Sequence, residues 1–126
     1  MDPTTDLFAG ESSIAGRGVF TRVPRSKGEV VEVCPMMVLP GDQLPLIDET
    51  VLYGYYFDWD GTDGALALGL GSLYNHDPTG NVTWELDQEE EVLRIIAVRD
   101  IAPGEELTVD YSNGGTTELW FDPIQG

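Results

Sequence analysis

The stretch Leu70-Gly71-Ser72-Leu73-Tyr74-Asn75-His76 sets the chain's single histidine beside an asparagine, between a glycine-rich apolar run and a turn opened by Asp77-Pro78. Both side chains carry directional donors and acceptors, and in apolar surroundings each needs a partner. One account is a ligand held by these groups; the other is a core histidine bonded to a backbone carbonyl. Two more signals bracket the pair. Upstream, Ala15-Gly16-Arg17-Gly18-Val19-Phe20 places glycines on both sides of an arginine. Glycine there lets the backbone approach a ligand or take positive φ, although a lone Gly-x-Gly also makes an ordinary turn. Downstream, the turn Ala102-Pro103-Gly104 leads into Glu105-Glu106-Leu107-Thr108-Val109-Asp110-Tyr111.

The elements that must position these residues read as short strands. Residues 7–14 form an apolar patch ending in a polar turn, and residues 29–33 alternate as a strand does. Pro35 is expected to interrupt the chain before a second apolar run at 36–39, and Pro40, Gly41 and Pro45 make a loop. Residues 46–59 are rich in aromatics (Tyr53, Tyr55, Tyr56, Phe57, Trp59), and their pattern fits a short helix or a strand. Residues 65–70 form an apolar strand leading to Asn75. The clean alternation of 82–86, the acidic tip 87–91 and the run 92–98 predict a hairpin with a solvated turn. Fifteen glycines and eight prolines, spread along the chain, favour turns over long helices. The expectation is a mainly β fold with little helix.

At 126 residues, 41% of them hydrophobic, the chain reads as a single domain over 1–126 with a modest core. Its net charge is −17, with Lys27 and five arginines against 23 carboxylates. That balance argues against direct binding to nucleic acid or an anionic membrane and favours a basic partner. Solubility in a salty cytoplasm is the competing account. Cys34 stands alone, which excludes an internal disulfide and a cysteine-based zinc cluster. No run approaches the roughly 18 apolar residues of a membrane span, and the N-terminus lacks the regions of a signal peptide. A cytoplasmic protein is expected.

Taken in order, Gly16-Arg17-Gly18-Val19-Phe20, Asn75-His76 and Gly104-Glu105-Glu106-Leu107 with Asp110-Tyr111 resemble the SET-domain protein lysine methyltransferases. The resemblance spans residues 7–120 and is nearest to minimal stand-alone SET proteins of viruses and bacteria. It implies a β-clip-like fold of several short-stranded sheets with a pseudoknot-like C-terminal segment. It also implies S-adenosylmethionine as methyl donor, S-adenosylhomocysteine as product, no metal, and a lysine entering a narrow channel from the opposite face. On this likeness the cofactor-binding positions are Gly16, Arg17, Gly18, Leu73, Asn75, His76 and Trp120. Tyr111 is the catalytic tyrosine beside the methyl group. Candidate channel walls are Tyr53, Tyr55, Tyr56 and Trp84, the last with a core role as its alternative.

Methyl transfer from a sulfonium to an amine is an in-line displacement and needs no protein nucleophile. The protein aligns the atoms and favours the methyl's partial positive charge with oxygen acceptors. The lysine must arrive neutral, which at pH 7 costs roughly 4.6 kcal/mol from its reference pKa of about 10.4. Burial in an apolar aromatic channel lowers that pKa. Asp77 departs from the serine the family commonly has after Asn-His, and either caps the following turn or alters the electrostatics of the site. The post-SET cysteines of many relatives are also missing. The implied activity is methylation of a lysine in a basic protein, whether histone, histone-like or ribosomal. A catalytically weak SET-fold module that binds a basic partner is the alternative. An acidic mimic of nucleic acid would explain the charge but not Asn75, His76 or Tyr111. By analogy with small SET proteins, a homodimer is permitted.

Overall fold

In the computed structural model, residues 6–53 and 55–110 are described. Among them the order is β1 (Leu7–Glu11), β2 (Arg17–Thr21), β3 (Val30–Leu39), a short helix α1 (Leu44–Ile47), β4 (Tyr56–Asp58), β5 (Gly64–Ala67), β6 (Asn75–His76), β7 (Val82–Asp87), β8 (Val92–Ala97) and β9 (Glu106–Val109). The strands follow one hydrogen-bonded path, β1-β2-β9-β7-β8-β3-β5-β4, with β6 paired to β9. Most pairs are antiparallel, while β9 runs parallel to both β6 and β7. The β7–β8 hairpin runs from Val82 opposite Ala97 to Asp87 opposite Val92, as the alternation predicts. No helix among the described residues is long and apolar enough to cross a membrane.

One expectation is corrected by β3, and the strand carries an irregularity besides. Pro35 does not end the strand, which continues to Leu39. Val30 to Pro35 pairs with β8, and Met36 to Leu39 pairs with β5, so the proline stands where the strand changes partners. A residue without an N–H is tolerated at such a seam. The Pro35 carbonyl still accepts the Leu68 N–H at 2.9 Å. The register also shifts between Val30 and Glu32. That bulge turns Glu32 inward with Cys34 and Met36 and leaves Val33 facing out. One extra residue in a strand moves every later side chain to the opposite face.

Elsewhere the boundaries tighten. The aromatic stretch divides into α1, a turn and β4, so the open choice between helix and strand resolves to a little of each. The apolar run before Asn75 ends as a strand at Ala67 and continues through a 3-10 turn at Gly71–Leu73. Val19, Val31, Leu93, Ile95, Leu107 and Val109 are buried at the centre of the core, and Trp84 joins them edge-on to Phe57 at 4.8 Å. Every one of these apart from Phe57 lies on β2, β3, β7, β8 or β9, and β9 is the strand that pairs with the Asn75-His76 segment.

Candidate active site

Because β6 is only Asn75 and His76, its position is set by its partner. Asn75 stands opposite Thr108 and His76 opposite Val109 on β9, and the Asp77 N–H donates to the Val109 carbonyl at 3.1 Å. β9 is itself pinned by the buried Asn81. The Asn81 Oδ1 accepts the Thr108 N–H at 2.8 Å, and its Nδ2 donates to the Glu106 carbonyl at 2.8 Å and to Glu105 Oε2 at 3.0 Å. Just before it, Gly80 passes so close that a Cβ would lie 2.7 Å from the Thr108 carbonyl oxygen and 2.9 Å from the Val109 Cα. Only glycine lets these two segments approach this far.

The glycine–arginine segment and Asn75 meet. β1 and β2 form a hairpin that pairs Gly10 with Gly18 and Glu11 with Arg17. At its tip the Ser12 N–H donates to the Gly16 carbonyl at 2.9 Å, and Gly16 takes the left-handed φ of +45°. Asn75 Nδ2 reaches across to this tip. It lies 3.1 Å from Ser12 Oγ, 3.1 Å from the Ala15 carbonyl, 3.2 Å from the Arg17 carbonyl and 2.9 Å from Glu106 Oε2. The Ser12 hydroxyl donates to the Glu106 carboxylate, 2.8 Å from Oε1 and 3.0 Å from Oε2. Space for that carboxylate comes from Gly18, where a Cβ would overlap Glu106 Oε2 and come within 3.0 Å of Asn75 Nδ2.

His76 is half-buried, with Nδ1 4.0 Å from Asp110 Oδ1. Asp77 caps its own turn: Oδ1 accepts the Thr79 N–H at 2.8 Å and the Thr79 hydroxyl at 2.9 Å. These bonds, led by the backbone one, hold its carboxyl below the usual range, with the neighbouring His76 and Arg99 adding to the effect. A depressed carboxyl stabilises the fold above its unfolded pKa, and the contribution is lost as pH falls through the folded value. A serine accepts the same N–H. Asp77→Ser is therefore expected to change stability at pH 7 by no more than about 0.5 kcal/mol. Cofactor affinity should stay within about two-fold, checked by thermal melting and calorimetry; a larger loss would assign the carboxylate a role in the site.

Behind the pair, the carboxylate turned inward by the bulge anchors the approach to β6. Glu32 Oε1 accepts the Tyr74 hydroxyl at 2.7 Å, and Oε2 accepts the Leu70 N–H at 2.9 Å. Glu32 and Tyr74 are 1% and 2% exposed, so these bonds form away from water. Burial, then the charge of Glu32, pushes the Tyr74 hydroxyl well above its ordinary pKa and keeps it a donor. Buried Cys34 lies beside the same carboxylate and is pushed up in the same way.

Of the other sequence-derived positions, Leu73 is partly buried against the core and Arg17 is exposed, contributing its carbonyl. Tyr53 and Tyr56 line a cleft of about 370 Å³ with Gly41, Leu44, Pro45 and Asp48. The Tyr56 hydroxyl donates to Asp48 Oδ1 at 2.6 Å, and burial followed by that carboxylate raises its pKa. Tyr55 is half-buried next to it in the chain, whereas Trp84 packs in the core against Phe57. Tyr111, Trp120 and the threaded C-terminal passage lie outside the described residues. Ser12, Glu32 and Asn81 were not legible as site residues in the sequence. Glu106 stood in the motif without a role, and a carboxylate facing a glycine across a strand pair is the signal that would have found it.

The sequence model of the SET domain matches residues 16–112, which include the glycine–arginine segment, Asn75-His76 and β9. The chain belongs to the SET-domain family. This SET-domain lysine methyltransferase is 33% identical over 108 residues to a Schizosaccharomyces pombe histone-lysine N-methyltransferase, H3 lysine-37 specific, covering 85% of this chain and 71% of that one. It is 32% identical to the Drosophila melanogaster histone-lysine N-methyltransferase Set8 over 86% of this chain, which is 18% of the fly protein. Among solved structures, a Plasmodium falciparum protein described as a histone methyltransferase superposes with a TM-score of 0.71 at 27% identity, covering 86% of this chain and 94% of the other. The autoinhibited ctPRC2 complex bound to S-adenosylmethionine shares the fold, with a TM-score of 0.70 at 22% identity over 86% of this chain and 15% of the other. The mainly β architecture with one short helix is thus the SET fold. SET methyltransferases use S-adenosylmethionine.

Proposed function

We propose that this chain methylates lysine in a basic protein, with a histone or histone-like substrate first in line. The observation that carries the reading is the Asn75 amide, wedged between the glycine–arginine tip and β9 within a chain of this family. The yeast and fly relatives are histone-lysine methyltransferases by name, which supports the substrate class. The net charge of −17 suits a lysine- and arginine-rich partner.

The residues present fit S-adenosylmethionine. Gly16 is open on its side-chain face, with nothing within 4 Å of a Cβ built there, so the backbone of the tip is accessible to a ligand. Asn75 would take the ammonium of the amino-acid end, the backbone of His76 the adenine, and the backbone of residues 16–18 the length between. When bound, that group supplies an electrophilic methyl on a sulfonium. The surrounding carboxylates, Glu106 and Asp110 among them, favour the approach of a cation. Burial of the incoming lysine then lowers its pKa and releases the amine lone pair. Tyr111 is the proposed acceptor for the methyl's partial charge.

The test is transfer of labelled methyl from S-adenosylmethionine to a panel of basic proteins, in low and high salt. Label on lysine is expected, with kcat/KM falling about ten-fold in high salt as charge steering is screened. Tyr111→Phe should lower turnover about 100-fold and leave cofactor affinity nearly unchanged, since it removes one transition-state contact. Cofactor binding without transfer to any member of the panel would favour a module that binds a basic partner without turnover.

A further inference from the structure

The groups around Asn75 Nδ2 are of one kind. The Ala15 and Arg17 carbonyls and the Glu106 side chain only accept here, and the Ser12 hydroxyl spends its proton on Glu106. An asparagine amide has a donor face and an acceptor face, exchanged by a half-turn of its terminal torsion. Against this wall only the donor face fits, because the flipped amide would set its oxygen against four acceptors. The carbonyls of the tip belong to the backbone and cannot be tuned. The contacts that side chains supply are those of Glu106 and of Ser12, and the room they occupy exists because residue 18 is glycine.

We infer that Glu106 is a positioning residue for the cofactor: with Ser12 behind it, its carboxylate locks the Asn75 amide so that Oδ1 faces the ligand ammonium. The inference rests on the cofactor reading above and deepens it. A fixed acceptor meets a cationic nitrogen without first reorienting, which is what preorganisation contributes to affinity. The effect is confined to the amino-acid end of the ligand. The adenosine end, assigned to the His76 backbone, does not depend on which way the amide points.

That division provides the test. Affinities for S-adenosylhomocysteine, which has the amino-acid end, and 5′-methylthioadenosine, which lacks it, are measured on the full chain and on Glu106→Gln and Ser12→Ala. Glu106→Gln is expected to weaken S-adenosylhomocysteine about ten-fold and to leave 5′-methylthioadenosine within two-fold. Ser12→Ala should give the same pattern at about three-fold. In turnover, KM for the cofactor rises while kcat at saturation holds. Equal weakening of both ligands would show a merely structural role and overturn the inference, as would unchanged affinity for both. If Glu106→Gln fails to fold, the Ser12→Ala pattern decides alone. A wild-type chain that binds neither ligand would instead overturn the cofactor reading, and the inference with it.

Discussion

Asn75→Asp is expected to reduce cofactor affinity by about 100-fold or more, well beyond the loss from Asn75→Ala. The substitution keeps the side chain's size and shape, so sterics do not explain the difference. It places an ionised carboxylate where Nδ2 now lies 2.9 Å from Glu106 Oε2 and 3.1 Å from the Ala15 carbonyl. Two carboxylates at that separation resist ionising together, so the pair takes up one shared proton, at a raised apparent pKa, as the pH falls. The pH dependence has a definite sign. Lowering the pH toward 5 should restore part of the variant's affinity, because the shared proton bridges the two carboxyls and reseats the side chain. Alanine leaves a gap without a charge and should show no such recovery. Calorimetric titration with S-adenosylhomocysteine across pH checks both variants. An aspartate variant that binds as well as wild type at pH 7 would remove Asn75 from the site.

The second large effect concerns stability. Glu32→Ala should cost about 3 kcal/mol, because it strands the Tyr74 hydroxyl and the Leu70 N–H in a dry interior, each at roughly 1–3 kcal/mol. For a domain of this size that corresponds to a fall in melting temperature of about 10 °C. The buried carboxylate bonds both ends of the segment running into Asn75, so the loss should reach the site as well as the core. Glu32→Gln can keep its carbonyl on the Leu70 N–H and donate its amide to the Tyr74 hydroxyl, which then accepts, so it should fall between. Tyr74→Phe alone leaves Oε1 without its 2.7 Å donor. A double-mutant cycle on Glu32 and Tyr74 should then return a coupling of at least about 1 kcal/mol. Additive losses would show that the pair acts independently and that the anchor is misassigned.

The pattern of local chemistry was enough to delimit much of the molecule. Strict alternation and an acidic tip predicted the β7–β8 hairpin, because side-chain period and turn composition are local properties. The family and the meeting of residues 16–18 with Asn75 followed from motif order, since the chemistry requires those residue types wherever the chain brings them together. What strand periodicity could not carry was register and partner choice. The alternation of residues 29–33 gives no sign of the single extra residue opposite β8 that turns Glu32 inward. Pro35 reads as a break until β3 is seen to change partners there. Ser12, far from Glu106 in the chain, touches it only because β2 pairs with β9 and folds the hairpin tip over it. Sequence therefore determined the family and singled out the glycine–arginine segment and Asn75, which the fold brings together. The orientation of Asn75 was decided by non-local pairing, because an amide's donor and acceptor faces are nearly the same in shape and only the surrounding acceptors distinguish them.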